Sequence, residues 1–137
     1  MTDIRIGRTS EEVIIRLGDS AKPDAEGWVD AEVALKMHSW SGHFPAQFLE
    51  DDFGVFAEGM QGLSEGLAPP AHLFSTDGYL EITLTRDELG HVEVTGEAWD
   101  TPRWGAHLGF SFQIDQTSLP PILASVESVL EQFRNAV

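Results

Sequence analysis

The stretch WVDAEVALKMHSW, which runs from Trp28 to Trp40, decides how this chain folds. Apolar and polar side chains alternate along it, and this period of two is typical of a strand with one buried and one exposed face. The side chains expected inside are Val29, Ala31, Val33, Leu35 and Met37, and those expected outside are Asp30, Glu32, Lys36 and His38. The stretch therefore predicts a long strand that covers an apolar core.

Similar alternation on both sides of this stretch predicts six more strands. Upstream, one begins with Ile4 and Ile6 and a second spans residues 12–17; downstream, four span residues 72–75, 79–85, 91–97 and 107–114. Asp77 and Gly78 give a two-residue hairpin signal between the first two downstream strands. Successive strands joined by short turns favour antiparallel pairing.

Two segments show the helical period instead. Residues 42–45 end the alternation, and from Phe48 the apolar residues recur at steps of three and four until residues 66–70 stop the helix. A last helix is predicted after residues 115–117, with Pro120 and Pro121 in its first turn. The two apolar stripes are Leu49, Phe53, Phe56, Met60, Leu63 and Leu67, and then Leu119, Ile122, Leu123, Val126, Val129, Leu130 and Phe133.

The predicted order of elements is β-β-β-α-β-β-β-β-α. This order predicts an α+β fold, with one antiparallel sheet of about six to seven strands and two helices packed on one face. The chain has 137 residues, which suits one core, so residues 1–137 are expected to form a single domain. No internal repeat is apparent in the sequence.

The charge of the chain is strongly negative. It carries 23 acidic and 8 basic side chains, a formal net charge of −15, and no cysteine. Such a surface repels nucleic acid and anionic lipid and attracts basic proteins, and solubility alone requires a much smaller charge.

The first ten residues lack the apolar core of a signal peptide, and no apolar run approaches the roughly 20 residues of a membrane span. A cytoplasmic protein with a basic protein partner is expected.

Catalytic signatures are weak. The five histidines are scattered singly, and the sequence contains neither a nucleophile elbow nor a phosphate-binding loop. One enzyme hypothesis stays open, in which His91, His107 and Asp115 converge around a metal or a small substrate. Strand-end histidines and an Asp that caps a helix are the structural alternative. We expect no catalytic residue, metal or cofactor.

Two groups of residues are the candidates for partner binding. Carboxylates gather on the first predicted helix, and a predicted loop over residues 100–105 carries the types of side chain that are enriched at binding hot spots. The alternatives are a solvated helix face and a Trp that folds back over the sheet. The candidate residues are Glu50, Asp51, Asp52 and Glu58 on the helix, and Asp100, Arg103 and Trp104 in the loop.

Three sequence motifs suggest a family. The run from Ser41 to Phe44 precedes a helix, GHVEV occupies residues 90–94, and FSFQIDQTSL occupies residues 110–119. From about Trp28 to Phe133 the chain resembles small bacterial proteins that include the WapI-like immunity proteins. The resemblance implies a non-catalytic protein that neutralises one cognate toxin by blocking its active or substrate-binding surface, and it supplies no catalytic residues. A structural module that dimerises through a sheet face is a further alternative.

Overall fold

Two runs of four strands, each followed by a helix, build the protein. The computed structural model describes residues 2–8, 10–102 and 104–135. The first run comprises β1 (Thr2–Arg8), β2 (Glu11–Leu17), β3 (Trp28–Met37), β4 (Trp40–Leu49) and α1 (Glu50–Ser64). The second comprises β5 (Ala71–Phe74), β6 (Leu80–Arg86), β7 (His91–Thr101), β8 (Trp104–Asp115), a short 3-10 turn (Gln116–Ser118) and α2 (Leu119–Asn135).

The α+β class and the predicted order are confirmed, with one strand more than predicted and a different sheet arrangement. The strands form two antiparallel sheets of four, in the orders β1-β2-β3-β4 and β5-β6-β7-β8, instead of one sheet of six to seven. β4 was missed because Gly42 and Pro45 interrupt the pattern. Proline is tolerated there because β4 lies at a sheet edge, and Ala46 and Phe48 are buried as in any half-buried strand.

Each helix packs against the first strand of the opposite sheet. α1 follows the first sheet and contacts β5, α2 follows the second sheet and contacts β1, and the two helices contact each other. The ring of Phe53 on α1 lies 4.9 Å from that of Phe48 and 5.9 Å from that of Phe133 on α2. The buried residues of both sheets and both helices therefore form one continuous apolar core. Neither helix of the described residues is long and apolar enough to cross a membrane.

The topology of the second half repeats that of the first, although no repeat is apparent in the sequence. Trp40 begins β4 and Trp104 begins β8. In each strand a His follows three residues later and a Phe eight residues later, as His43 and Phe48 or as His107 and Phe112. Because few other positions match in type, the repeat is visible only once the strands are assigned.

Gly96 lies where the backbone of β6 and the ring of Phe110 come close to β7. A Cβ at this position would lie 2.4 Å from the backbone oxygen of Glu81 and 2.5 Å from Cζ of Phe110. At Gly109, on the neighbouring strand, no atom beyond its own neighbours lies within 4 Å of an added Cβ. The two glycines therefore differ in the space that each leaves to a side chain.

We expect Gly96→Ala to lower the free energy of unfolding by about 1–3 kcal/mol, because backbone and a buried ring must move to admit the methyl group. Gly109→Ala is the matched control, with an expected change within about 0.5 kcal/mol. Urea unfolding followed by circular dichroism measures both. Equal stability of the two variants would contradict the packing described for Gly96.

Candidate protein-binding surface

The outward side of the second sheet carries acidic groups, and its own described residues include no Lys or Arg. Arg8 of β1 lines one pocket with Gln113 and Asp115 at the far end of this side. Glu93 and Glu97 are exposed, whereas Val92, Val94 and Ala98 on the same strand are buried. The register with β6 and β8 places further outward residues beside them. We call this surface the acidic face; its members are His72, Phe74, Glu81, Thr83, Thr85, His91, Glu93, Thr95, Glu97, Trp99, His107, Gly109, Ser111, Gln113 and Asp115.

The outward side of the first sheet is nearly balanced in charge. Arg5 lies 3.5 Å from Glu12 and 3.8 Å from Asp3, and Arg16 stands between Asp3 and Glu32 in the register of the strands. Lys36 is paired in register with Glu12. Carboxylates there have cations beside them, so the acidic face is the more negative of the two sheet surfaces.

The β7–β8 hairpin places Asp100 and Trp104 at one end of the acidic face. The predicted loop over residues 100–105 is shorter than expected, because β7 continues to Thr101 and β8 begins at Trp104. Asp100 lies at a break in the register between Trp99 and Thr101 and is exposed. Trp104 is 75% exposed and does not fold back over the sheet. Arg103 lies outside the described residues.

The four carboxylates predicted on α1 divide into two kinds. Asp51 and Glu58 are exposed and follow one stripe of the helix with Val55, whose side chain is 52% exposed. Glu50 is half-buried. Asp52 is engaged: its Oδ2 accepts the backbone N–H groups of Leu49 (2.8 Å) and Thr76 (3.0 Å), and its Oδ1 accepts the Thr76 hydroxyl (2.6 Å). Asp52 thus joins the start of α1 to the β5–β6 turn.

These contacts bring the two predicted groups to the same end of the second sheet. The β5–β6 turn holds the first turn of α1 through Asp52. β6 begins after that turn and lies beside the end of β7. There Leu80 pairs with Ala98, and the N–H of Trp99 donates to the backbone oxygen of Tyr79 at 2.9 Å. The tip of the β7–β8 hairpin therefore extends from the end where α1 begins.

The residues of the enzyme hypothesis do not converge. His91 pairs in register with Asp115, whereas His107 pairs with Trp99. His107 and Asp115 are eight residues apart on β8, about 26 Å at the rise of a strand. Within residues 2–8, 10–102 and 104–135, no group of three His, Cys, Asp or Glu side chains is arranged to hold a metal ion.

Asp87 and Asp115 act as local caps beside His91. Asp87 accepts the N–H groups of His91 and Leu89 and lies 3.1 Å from His91 Nδ1. The backbone N–H of His91 is the main cause of the lowered pKa of the Asp87 carboxyl. Asp115 accepts the N–H of Thr117 at 3.2 Å. These are turn-forming contacts of the kind that the structural alternative proposed.

A large groove lies elsewhere, on the outward side of the first sheet beside the β5–β6 turn. It is open, has a volume of about 950 Å³ and is lined in part by Arg16, Asp30 and Asp77. Gln47 occupies two of its carboxylates, donating its side-chain amide to Asp30 (2.8 Å) and its backbone N–H to Asp77 (2.7 Å). Two of the carboxylates that line the groove are therefore already hydrogen-bonded.

Sequence reasoning did not assign Glu93 and Glu97 to the candidate binding surface. Both lie in a predicted strand, and their alternation with Val92, Val94 and Ala98 was a usable signal that they share an exposed face. What the pattern did not show was which strands lie beside β7, and so whether cations stand near these carboxylates.

We expect Asp52→Ala to lower the free energy of unfolding by about 1–2 kcal/mol, since three hydrogen bonds at the start of α1 are lost. Asp51→Ala removes the same charge from the adjacent, exposed position and is expected to change it by less than about 0.5 kcal/mol. Urea unfolding compares the two. A loss in Asp51→Ala equal to that in Asp52→Ala would contradict the structural role of Asp52.

Solved structures with a similar fold share little sequence with this chain. WHY3 from Arabidopsis thaliana has a TM-score of 0.52 at 10% identity, over 99% of this chain and 90% of that chain. The plant transcriptional regulator PBF-2 has a TM-score of 0.50 at 9% identity, over 96% and 81%. MRP1/MRP2 from Trypanosoma bruciei has a TM-score of 0.49 at 10% identity, over 97% and 86%. At such identities the likeness concerns the fold alone.

A comparison with curated proteins finds no match. A family model does match: that of the immunity protein WapI-like family aligns with residues 4–134, which is nearly the whole chain. The motifs at residues 41–44, 90–94 and 110–119 lie within this match. The chain therefore belongs to the immunity protein WapI-like family.

Proposed function

We propose that this chain is a non-catalytic, immunity-type inhibitor that neutralises a cognate bacterial toxin by covering a basic active or substrate-binding surface. Membership of an immunity protein family supports a protein partner. The observation that carries the proposal is the acidic face, which has exposed carboxylates at Glu93 and Glu97 and no Lys or Arg among its described residues. The binding surface extends to the hairpin tip and to Asp51 and Glu58 on α1.

The charge suits a toxin that acts on nucleic acid. Such an enzyme binds phosphates through Lys and Arg, and a row of carboxylates on a rigid sheet presents negative charge in the same way. Glu93 and Glu97 are four residues apart on β7, about 13 Å at the rise of a strand. The sheet holds their backbones in place before binding, so little backbone entropy is lost on association.

Other properties follow from this proposal. The chain acts as one domain, because each helix completes the core of the opposite sheet. It works in the cytoplasm, where a toxin would reach its target, and its negative charge keeps it from competing for nucleic acid or anionic membranes. No step of the proposed mechanism needs a metal, a cofactor or a catalytic residue.

The direct test first searches the genome beside this chain for an encoded toxin domain and then expresses that domain with the chain. We expect co-expression with the chain to restore growth of a bacterial host that expresses this domain. We also expect the dissociation constant of the purified pair to rise steeply between about 0.05 and 0.5 M salt, as for an interface between opposite charges. Failure to bind or to restore growth would overturn the proposed function.

The acidic face has a matched control on α2. We expect Glu93→Gln together with Glu97→Gln to weaken toxin binding about tenfold or more, chiefly by slowing association. Glu127→Gln with Glu131→Gln removes the same charge from exposed positions of α2 and should change the affinity by less than about twofold. Stopped-flow mixing gives both rate constants. Equal effects of the two pairs would show that only total charge matters.

The repeat supplies a control for Trp104. Trp40 occupies the equivalent position at the start of β4 and is 69% exposed, against 75% for Trp104. We expect Trp104→Ala to weaken toxin binding by about thirtyfold, as at a hot spot, and Trp40→Ala to leave it within about twofold. Isothermal titration calorimetry measures both. A larger loss for Trp40→Ala would place the interface on the first hairpin.

A further inference from the structure

We propose that the outer edge of β8 between His107 and Ser111 pairs, strand to strand, with an extended basic segment of the partner. This inference rests on the proposed function and states how the partner docks. Within the described residues β8 pairs with β7 alone, so its other edge carries unpaired backbone groups. Such an edge is a template for another strand.

The register shows which backbone groups point outward. The N–H of Trp99 donates to Tyr79 on the β6 side, so the backbone of Trp99 faces away from β8. His107 lies opposite Trp99 and therefore forms a non-hydrogen-bonded pair, with its own N–H and C=O on the outer edge. The backbone N–H and C=O groups of Gly109 and Ser111 also point to the outer edge, because this orientation recurs at every second residue of a strand.

Among the described residues, each of the other three sheet edges is obstructed in part. β4 has Pro45, which lacks an N–H, and the N–H of Gln47 is already bound to Asp77. β5 is covered by α1, where an added Cβ at Gly59 would lie 2.8 Å from Cα of Ala71. β1 lies against α2 and, near Gly7, against β8. Proteins block their edges against uncontrolled pairing, and no such obstruction is found among the described residues beside Gly109.

The repeated topology allows β4 and β8 to be compared position by position. Counted from Trp40 and Trp104, Pro45 of β4 corresponds to Gly109 of β8, since each lies five residues after the Trp. One half of the protein thus has a proline at the position where the other half has the smallest residue and an outward N–H. The space above Gly109 is open, as shown by the absence of any atom near an added Cβ.

Charge decides the kind of strand that fits. His107, Gly109 and Ser111 belong to the acidic face, and Glu93 and Glu97 lie on the adjacent strand. A paired segment with Lys or Arg at alternate positions would place its cations beside these carboxylates. A second copy of this chain would bring the same carboxylates together, and each copy has a net charge of −15. The partner strand is therefore basic.

The test uses Gly109→Pro and the purified toxin domain. Proline removes the outward N–H without touching the bonds to β7, and its ring obstructs an approaching strand. We expect binding about tenfold weaker or worse in Gly109→Pro, and within about twofold of wild type in Gly109→Ala, which keeps the N–H. Ser111→Pro and Ser111→Ala repeat the comparison one pair further along the edge.

Amide hydrogen exchange verifies the fold of each proline variant. Leu108, Phe110 and Phe112 bond to β7 and must stay protected from exchange as in wild type. Toxin binding that is equally tight in all four variants would overturn strand pairing and leave the proposed function intact. No toxin binding by the wild-type chain would overturn both. A wild-type dimer that Gly109→Pro converts to monomer would assign the edge to a second copy and overturn the basic partner.

Discussion

The exchange of helices between the two sheets is the packing on which the rest of the structure depends. α1 leaves the first sheet and covers β5, while α2 leaves the second and covers β1. Phe53 of α1 contacts Phe133 of α2, so the halves share one core. Because β5 and β1 are edge strands, this packing also obstructs part of one edge of each sheet. Asp52 reinforces it by binding the β5–β6 turn.

The two halves repeat a topology but present different chemistry. The first sheet sets cations such as Arg16 and Lys36 among its outward carboxylates and has Pro45 on its edge strand. The second has no described Lys or Arg on its outward side and has Gly109 at the position that corresponds to Pro45. A duplicated scaffold can keep one half for stability and use the other for binding. The proposed function assigns binding to the second half.

The periodicity of the sequence predicted much of the fold. It predicted the candidate binding surface only in part. Both helices and seven strands were predicted, because their alternation and apolar stripes are local signals. β4 was missed since Pro45 is acceptable only at an edge, and strand order is a long-range property. Asp51, Glu58, Asp100 and Trp104 are exposed as a partner site requires, but the bonds of Asp52 depend on Thr76, 24 residues away.

Hydrogen exchange of the chain, alone and bound to the toxin domain, tests the central claim most directly. Strand pairing at β8 predicts that the amides of His107, Gly109 and Ser111 exchange rapidly in the free chain and become protected in the complex. The equivalent hairpin of β3 and β4 should not change. Protection that falls on β4 or α2 and leaves β8 unchanged would contradict the account.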